Sequence, residues 1–242
     1  MSVILGGALL VALCGVVAGV LAPWLLRRAA EPELEADEVK VPYAALANRR
    51  VALSAGLWAA GLATVSVLAV EPDRVGPWLV VSVVGALASV VDLATTWIPR
   101  RWLHVGWALT ALAVVGSAWS LNDWAGVGRA AIGVAIIGGV YGAVYLVAQL
   151  SRRAIFGFAD VRLGILAGMA AGWRSIPTAT TAIVLGALVG AVWGVVWKVR
   201  QRGGGGGGVG GEGVGGGAEY AYGPSIVLGP YLALAVGLLT QR

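Results

Sequence analysis

Gly157-Phe158-Ala159-Asp160-Val161-Arg162-Leu163 opens an apolar segment that runs on to Arg174. The stretch sets a carboxylate and a guanidinium at the mouth of a run otherwise built from Gly, Ala and large apolar residues. A second aspartate, Asp92, stands near the end of another apolar segment, six residues before Ile98-Pro99. Ionisable groups at membrane depth are costly and are functional candidates by default. Reading these segments as helices in lipid therefore decides both the fold and the place to look for chemistry.

Composition agrees with that reading. Of 242 residues, 59% are hydrophobic and only 12% charged, against about 25% charged in a soluble domain. Apolar runs near twenty residues recur along the whole length, the mark of a polytopic membrane protein. The net charge of +5 does not point to nucleic acid, because membrane proteins concentrate Lys and Arg in their cytosolic loops. Cys14 is the only cysteine, so no intrachain disulfide or cysteine-based zinc site can form. No basic residue precedes the first apolar run, whereas Arg27 and Arg28 follow it. This predicts a retained first span with its N-terminus outside rather than a cleaved signal peptide.

Apolar segments fall at about 3–26, 51–70, 76–98, 102–120, 127–149, 161–174, 178–197 and 224–240. They predict an all-α fold: a single membrane domain of about eight transmembrane helices, since lipid offers no partner for unpaired backbone groups. With the N-terminus outside, the odd-numbered connections lie inside. Thirteen of the 17 Lys and Arg residues then fall inside, among them Arg27, Arg28, Arg49, Arg50, Arg100, Arg101, Arg152 and Arg153. Only Arg74, Arg129, Arg174 and Arg242 fall outside. The asymmetry supports this orientation, with both termini outside. It also places Asp92 and Asp160 at the inner ends of spans three and six, on one membrane face despite 68 residues of separation.

Helix period indicates which way the aspartates point. Gly164, Gly168 and Gly172 follow Asp160 at steps of four, and small residues at that spacing admit another helix. Ser82, Gly85, Ser89, Asp92 and Thr96 form a similar small, polar stripe on span three. The two stripes suit a narrow hydrated cleft between spans three and six. Span six is short, so Ile155 to Ala159 is expected to enter the membrane as irregular backbone, with Asp160 close to water. Gly186, Gly190 and Gly194 on span seven read as plain helix packing.

Three blocks now carry a resemblance. Asp92-Leu93 with Ile98-Pro99-Arg100, then Gly157-Phe158-Ala159-Asp160-Val161-Arg162-Leu163, then Leu228-Gly229-Pro230-Tyr231-Leu232-Ala233-Leu234, in that order, resemble the type IV prepilin peptidases. These belong to the GxGD class of intramembrane aspartyl proteases. The resemblance covers most of residues 76–240. Ala159 stands where the family has its second Gly, and Arg162 where it has Lys. Alanine would disfavour a positive φ there, and Arg keeps the charge with a different geometry.

The resemblance implies an aspartic endopeptidase of the bacterial inner membrane, with Asp92 and Asp160 as the catalytic pair. Gly157, Ala159, Arg162, Pro99, Gly229 and Pro230 support the motif. The implied partner is a prepilin-like subunit of a type IV pilus or secretion system, with a short basic leader before an apolar helix, cut at the cytosolic face. Two facing carboxylates share one proton and activate water, so no cofactor and no metal is called for. Many bacterial members carry two Cys-x-x-Cys pairs in the loop after span one and methylate the new N-terminus. Here the loop Arg27–Arg50 has no cysteine, so methyl transfer is not expected.

Glu31, Glu33, Glu35, Asp37 and Glu38 make that loop acidic, and it reads chiefly as a solvated surface. His104 reads as an interfacial side chain. Residues 203–217 hold 12 glycines among 15 residues, with no following Lys-Ser or Lys-Thr. They read as a flexible cytosolic linker rather than a phosphate loop. Two other classes compete with proteolysis: a transporter using the aspartates for protons or cations, and a non-catalytic component of pilus or secretion assembly.

Overall fold

The computed structural model describes residues 2–31, 41–151, 157–203 and 221–240. Among these residues the chain is all-α. Its helices are α1 (Ser2–Leu26), α2 (Tyr43–Leu46), α3 (Arg49–Ala69), α4 (Gly76–Thr95), α5 (Arg100–Leu121), α6 (Trp124–Leu150), α7 (Phe158–Arg174), α8 (Ile176–Gly203) and α9 (Gly223–Thr240). Seven of them, all but α2 and α7, are long and apolar enough to cross a membrane. The protein is thus a polytopic membrane protein. Large apolar side chains such as Ile4, Leu57, Leu112, Trp119 and Leu150 cover its outside, where lipid tails are as apolar as they are.

Helix α7 is the exception in length. Its 17 residues span about 25 Å, less than the ~30 Å hydrocarbon core. It is also among the most buried, packed by α4, α5, α6, α8 and α9. A helix enclosed by other helices need not match the lipid thickness.

Local chemistry sets the ends. The Asn48 side chain caps α3 by accepting from the N–H groups of Arg50 and Val51, satisfying donors that the first turn leaves free. Asp123 caps α6 through the Gly126 N–H at 3.0 Å. Ser175 separates α7 from α8 and accepts from the Thr178 N–H at 3.2 Å, with Pro177 in the first turn. Helix α4 stops at Thr95, three residues before the expected boundary. Pro99 disfavours helical backbone at Ile98, and Thr96 adopts a left-handed conformation with φ 57°. Helix α8 continues beyond the expected residue 197 to Gly203; residues 204–220, which include the rest of the glycine-rich stretch, lie outside the described residues.

Helix α7 also starts earlier than expected. Phe158 and Ala159 are helical, so the irregular backbone anticipated there is not found. Residues 155 and 156 lie outside the described residues. The reason is a local cap: the Gly157 N–H donates to Asp160 Oδ2 at 3.1 Å, while the Asp160 N–H donates to the Gly157 carbonyl. That closes the first turn ahead of the apolar run.

The connections gather at two ends. At one end, Asp123 pairs with Arg74 at 2.8 Å and with Arg129 at 2.9 Å. Arg174 pairs there with Glu71, and the buried Trp173 donates its indole N–H to the Arg74 carbonyl at 3.1 Å. This ties together the α3–α4, α5–α6 and α7–α8 connections. Arg129, then Arg74 and the Gly126 N–H, hold the Asp123 carboxyl below the usual carboxylate range; Arg174 does the same for Glu71. A lowered folded-state pKa gives stability that is present above the unfolded value of about 4 and is lost as pH falls through the folded value. The unfolding temperature in detergent is therefore expected to drop as pH falls from about 4 towards 2, with a shallower drop in Asp123→Asn. Equal slopes for the two proteins would contradict this.

The small-residue stripes pack as closely as expected, but not against each other. The α7 stripe lies on α6. A Cβ added to Gly168 would sit 2.6 Å from the Gly133 carbonyl oxygen, and one on Gly172 2.4 Å from that of Arg129. The α4 stripe lies on α9: Ser82 Oγ is 2.9 Å from Tyr231 Oη, and a Cβ on Gly85 would meet Val227 at 2.9 Å. The expected cleft between α4 and α7 is thus replaced by two tight seams. Period fixes which face of a helix is small; it does not say which helix fills it. On α8, Gly186 and Gly190 pack on α9 at Ser225 and Tyr222, as their spacing suggested.

Candidate functional site

Asp92 lies in the last turn of α4 and Asp160 in the first turn of α7, at the end opposite the Asp123 cluster. Both are buried, 4% and 7% exposed. Desolvating a carboxylate is expensive unless it is hydrogen-bonded, and each has a backbone donor. Asp92 Oδ2 accepts from the Gly223 N–H at 2.8 Å. Asp160 Oδ2 accepts from the Gly157 N–H at 3.1 Å. The two carboxyls lie within reach of each other's charge, and α4, α7 and α9 pack on one another.

Gly223 is required by distance. A Cβ there would lie 2.7 Å from Asp92 Oδ2 and 3.1 Å from its carboxyl carbon. Only glycine lets the start of α9 come this close. Gly157 is different. It has extended backbone, φ −87° and ψ 153°, and a Cβ would make only an ordinary 3.7 Å contact with Asp160 Oδ2. Ala159 has helical backbone, and the only positive φ angles at non-glycine residues among the described ones are at Thr96 and Asn122. The alanine therefore meets no backbone conflict.

Arg162 turns its guanidinium over the Phe158 ring, 4.6 Å from the centroid. Its carbonyl accepts from the Trp107 indole of α5 at 2.9 Å. Pro99 begins α5 and so ends the turn that follows Asp92. Gly229 and Pro230 lie on α9 about 9 Å along the axis from Gly223. A Cβ on Gly229 would meet the Ala182 carbonyl oxygen at 2.3 Å, so Gly229 seats α9 on α8 and sets the helix that carries Gly223. His104 is exposed and stacks on Trp107, with centroids 5.0 Å apart.

Other residues belong to this end that the sequence did not single out. Tyr141 of α6 and Tyr222, just before α9, both feel the charge of Asp160. Tyr43 of α2 is buried among Leu26 and Val91. Its phenol donates to the Trp97 carbonyl at 3.3 Å, and its N–H donates to Glu31 at 3.2 Å. Burial, then the Glu31 charge, pushes that phenol up to about 12, so it remains a donor. The acidic loop is therefore anchored beside α4 at both Glu31 and Tyr43. Glu33, Glu35, Asp37 and Glu38 lie outside the described residues.

Ser89, one turn before Asp92, is fully buried, and its hydroxyl has no hydrogen-bond partner among the described residues. Ser66, Ser82, Thr95 and Thr110, also buried, each donate to the carbonyl four residues back. An unsatisfied buried hydroxyl costs about 1–3 kcal/mol. Ser89→Ala is therefore expected to stabilise the protein by about 1 kcal/mol, measured by thermal unfolding in detergent. A clear loss of stability would mean that the hydroxyl has a partner in the folded state.

Compared with models of protein families, with curated proteins and with solved structures, the chain has no match.

Proposed function

We propose that this protein is an intramembrane aspartyl endopeptidase that removes the basic leader from prepilin-like subunits at the cytosolic membrane face. The observation that carries the reading is the presence of two buried aspartates from different helices at one end of the bundle, within reach of each other's charge and each held by a backbone N–H. The three sequence blocks that suggested the family fall at the end of α4 with the turn into α5, at the start of α7, and on α9, and α4, α7 and α9 pack on one another.

Two buried carboxyls within reach of each other's charge do not both ionise readily and hold one proton between them. The ionised member takes a proton from water as the water oxygen bonds to the scissile carbonyl carbon. The protonated member donates to the carbonyl oxygen. The C–N bond then breaks and a proton reaches the leaving amine. The two roles belong to the pair rather than to either residue, because coupled sites titrate together.

The Lys and Arg asymmetry supports a cytosolic position for the carboxyl end, where a basic leader would lie. The membrane is then the bacterial inner membrane, with both termini outside. The cysteine-free loop after α1 fits a peptidase without methyl transfer. The test is incubation of the purified protein with a prepilin-type peptide in detergent, with products identified by mass. A single cut between leader and apolar segment supports the reading. An intact peptide, from folded protein, favours the transporter or assembly roles.

A further inference from the structure

We propose that the end of α1 is a binding site for an anionic phospholipid, with its phosphate held by Arg27 and Arg28 and an acyl chain lying against Trp24 and Val20.

Helix α1 has two unlike sides. Cys14, Ala18, Ala22 and Leu26 are buried at steps of four. The helix packs on α3, where a Cβ built on Gly19 would sit 3.2 Å from the Ala52 carbonyl oxygen. Val20 and Trp24 stand off the buried stripe and are 65% and 50% exposed. After Leu26 the chain closes into a turn. The Arg27 N–H donates to the Pro23 carbonyl at 3.2 Å, and the Arg28 N–H to the Leu25 carbonyl at 3.1 Å. The Arg28 guanidinium lies over the ring four residues before it, its carbon 4.2 Å from the Trp24 centroid. Val20, Pro23, Trp24, Arg27 and Arg28 together line a cavity of about 360 Å³.

The order of these residues fits a phospholipid. From Val20 to Arg28 the wall rises roughly 12 Å, passing from aliphatic to aromatic to doubly cationic. A phospholipid presents acyl chain, glycerol and phosphate in the same order. Tryptophan is enriched at that boundary, and guanidinium groups take phosphate oxygens in paired hydrogen bonds. The cation–π contact orders the Arg28 guanidinium before a ligand arrives, which lowers the cost of binding. Among the described residues neither arginine has a carboxylate partner. A head group with net negative charge answers those two charges, as anionic lipids do for basic residues beside a membrane. A choline or ethanolamine head group would bring a third cation against them. A free phosphate would use the arginines and leave the apolar wall uncovered.

The experiment is native mass spectrometry of the full chain in neutral detergent, titrated separately with phosphatidylglycerol, phosphatidylcholine and glycerol phosphate. Wild type is expected to retain one phosphatidylglycerol at least about tenfold more tightly than phosphatidylcholine, and to retain no glycerol phosphate. Arg27→Gln with Arg28→Gln should lose that preference, and Trp24→Ala should weaken retention of the lipid. Arg100→Gln with Arg101→Gln removes the same charge at the same end of the bundle, where α5 begins beside α1, but outside the cavity. That variant should bind as wild type does. Unfolding temperatures measured without lipid verify that each variant is folded. Equal retention of the two lipids by wild type overturns the inference without recourse to any variant. Equal losses in the two double variants would mean diffuse attraction rather than a site, and tight retention of glycerol phosphate would mean a phosphate site rather than a lipid site. Either result overturns the assignment.

Discussion

Asp92→Asn and Asp160→Asn are each expected to lower kcat/KM for a prepilin-type peptide by at least about a thousandfold, and the double variant by no more than either alone. One proton shared between two carboxyls requires both of them, so the first loss removes the mechanism and the second finds nothing left to remove. The fold should survive. An asparagine Oδ1 can still accept from Gly223 at position 92 and from Gly157 at position 160. Loss of cleavage with an unchanged unfolding temperature is therefore the expected pair of readings. A single variant that kept near-normal cleavage would show that the carboxyls do not work as a unit.

The second large effect concerns stability. Gly133→Ala and Gly168→Ala are each expected to destabilise the protein by about 3 kcal/mol or more, from overpacking. The added carbon at residue 133 would lie 2.3 Å from the Gly168 carbonyl oxygen and 2.6 Å from the Gly172 Cα. Those neighbours are backbone and cannot rotate away, so α6 and α7 would have to separate. The displacement would reach Asp160, one turn from Gly164 on the same helix face, so cleavage should fall as well. Gly128→Ala and Gly139→Ala, on α6 with nothing within 4 Å, are the matched controls. They should be neutral or slightly stabilising, since alanine is the better helix former. Equal behaviour of the seam and control positions in thermal unfolding would contradict the packing described.

The seven membrane-length helices and the shorter α7 were legible in the sequence because lipid leaves the backbone no other option, and because Asn48, Asp123, Ser175 and the prolines punctuate the chain. The shared end of Asp92 and Asp160 was legible too, since counting spans is enough to fix it. The partners of each helix were not. The Gly164–Gly172 stripe announces a close approach, but α6 and α4 would satisfy it equally from sequence. The early start of α7 escaped because a glycine followed three residues later by an aspartate reads as a flexible approach as readily as a cap. Tyr222 and Gly223 escaped for a further reason. They belong to the site only because α9 folds back across α4, and Ala221-Tyr222-Gly223 carries no periodic signal of its own. Tyr43 was obscured by the acidic residues around it, although a large aromatic in so polar a loop was the one hint that the loop has an anchor.

Chemical cross-linking reads whether residues 92 and 160 lie together in the folded protein. Cys14→Ala removes the only cysteine. In that background, Asp92→Cys combined with Asp160→Cys should be joined efficiently by a short thiol-reactive linker in folded, detergent-solubilised protein. Asp92→Cys combined with Arg174→Cys, at opposite ends of the bundle, should not be joined. Linking of the first pair and not the second is the predicted result. A 92–160 pair that links no better than the 92–174 pair would mean that the two aspartates do not share a site.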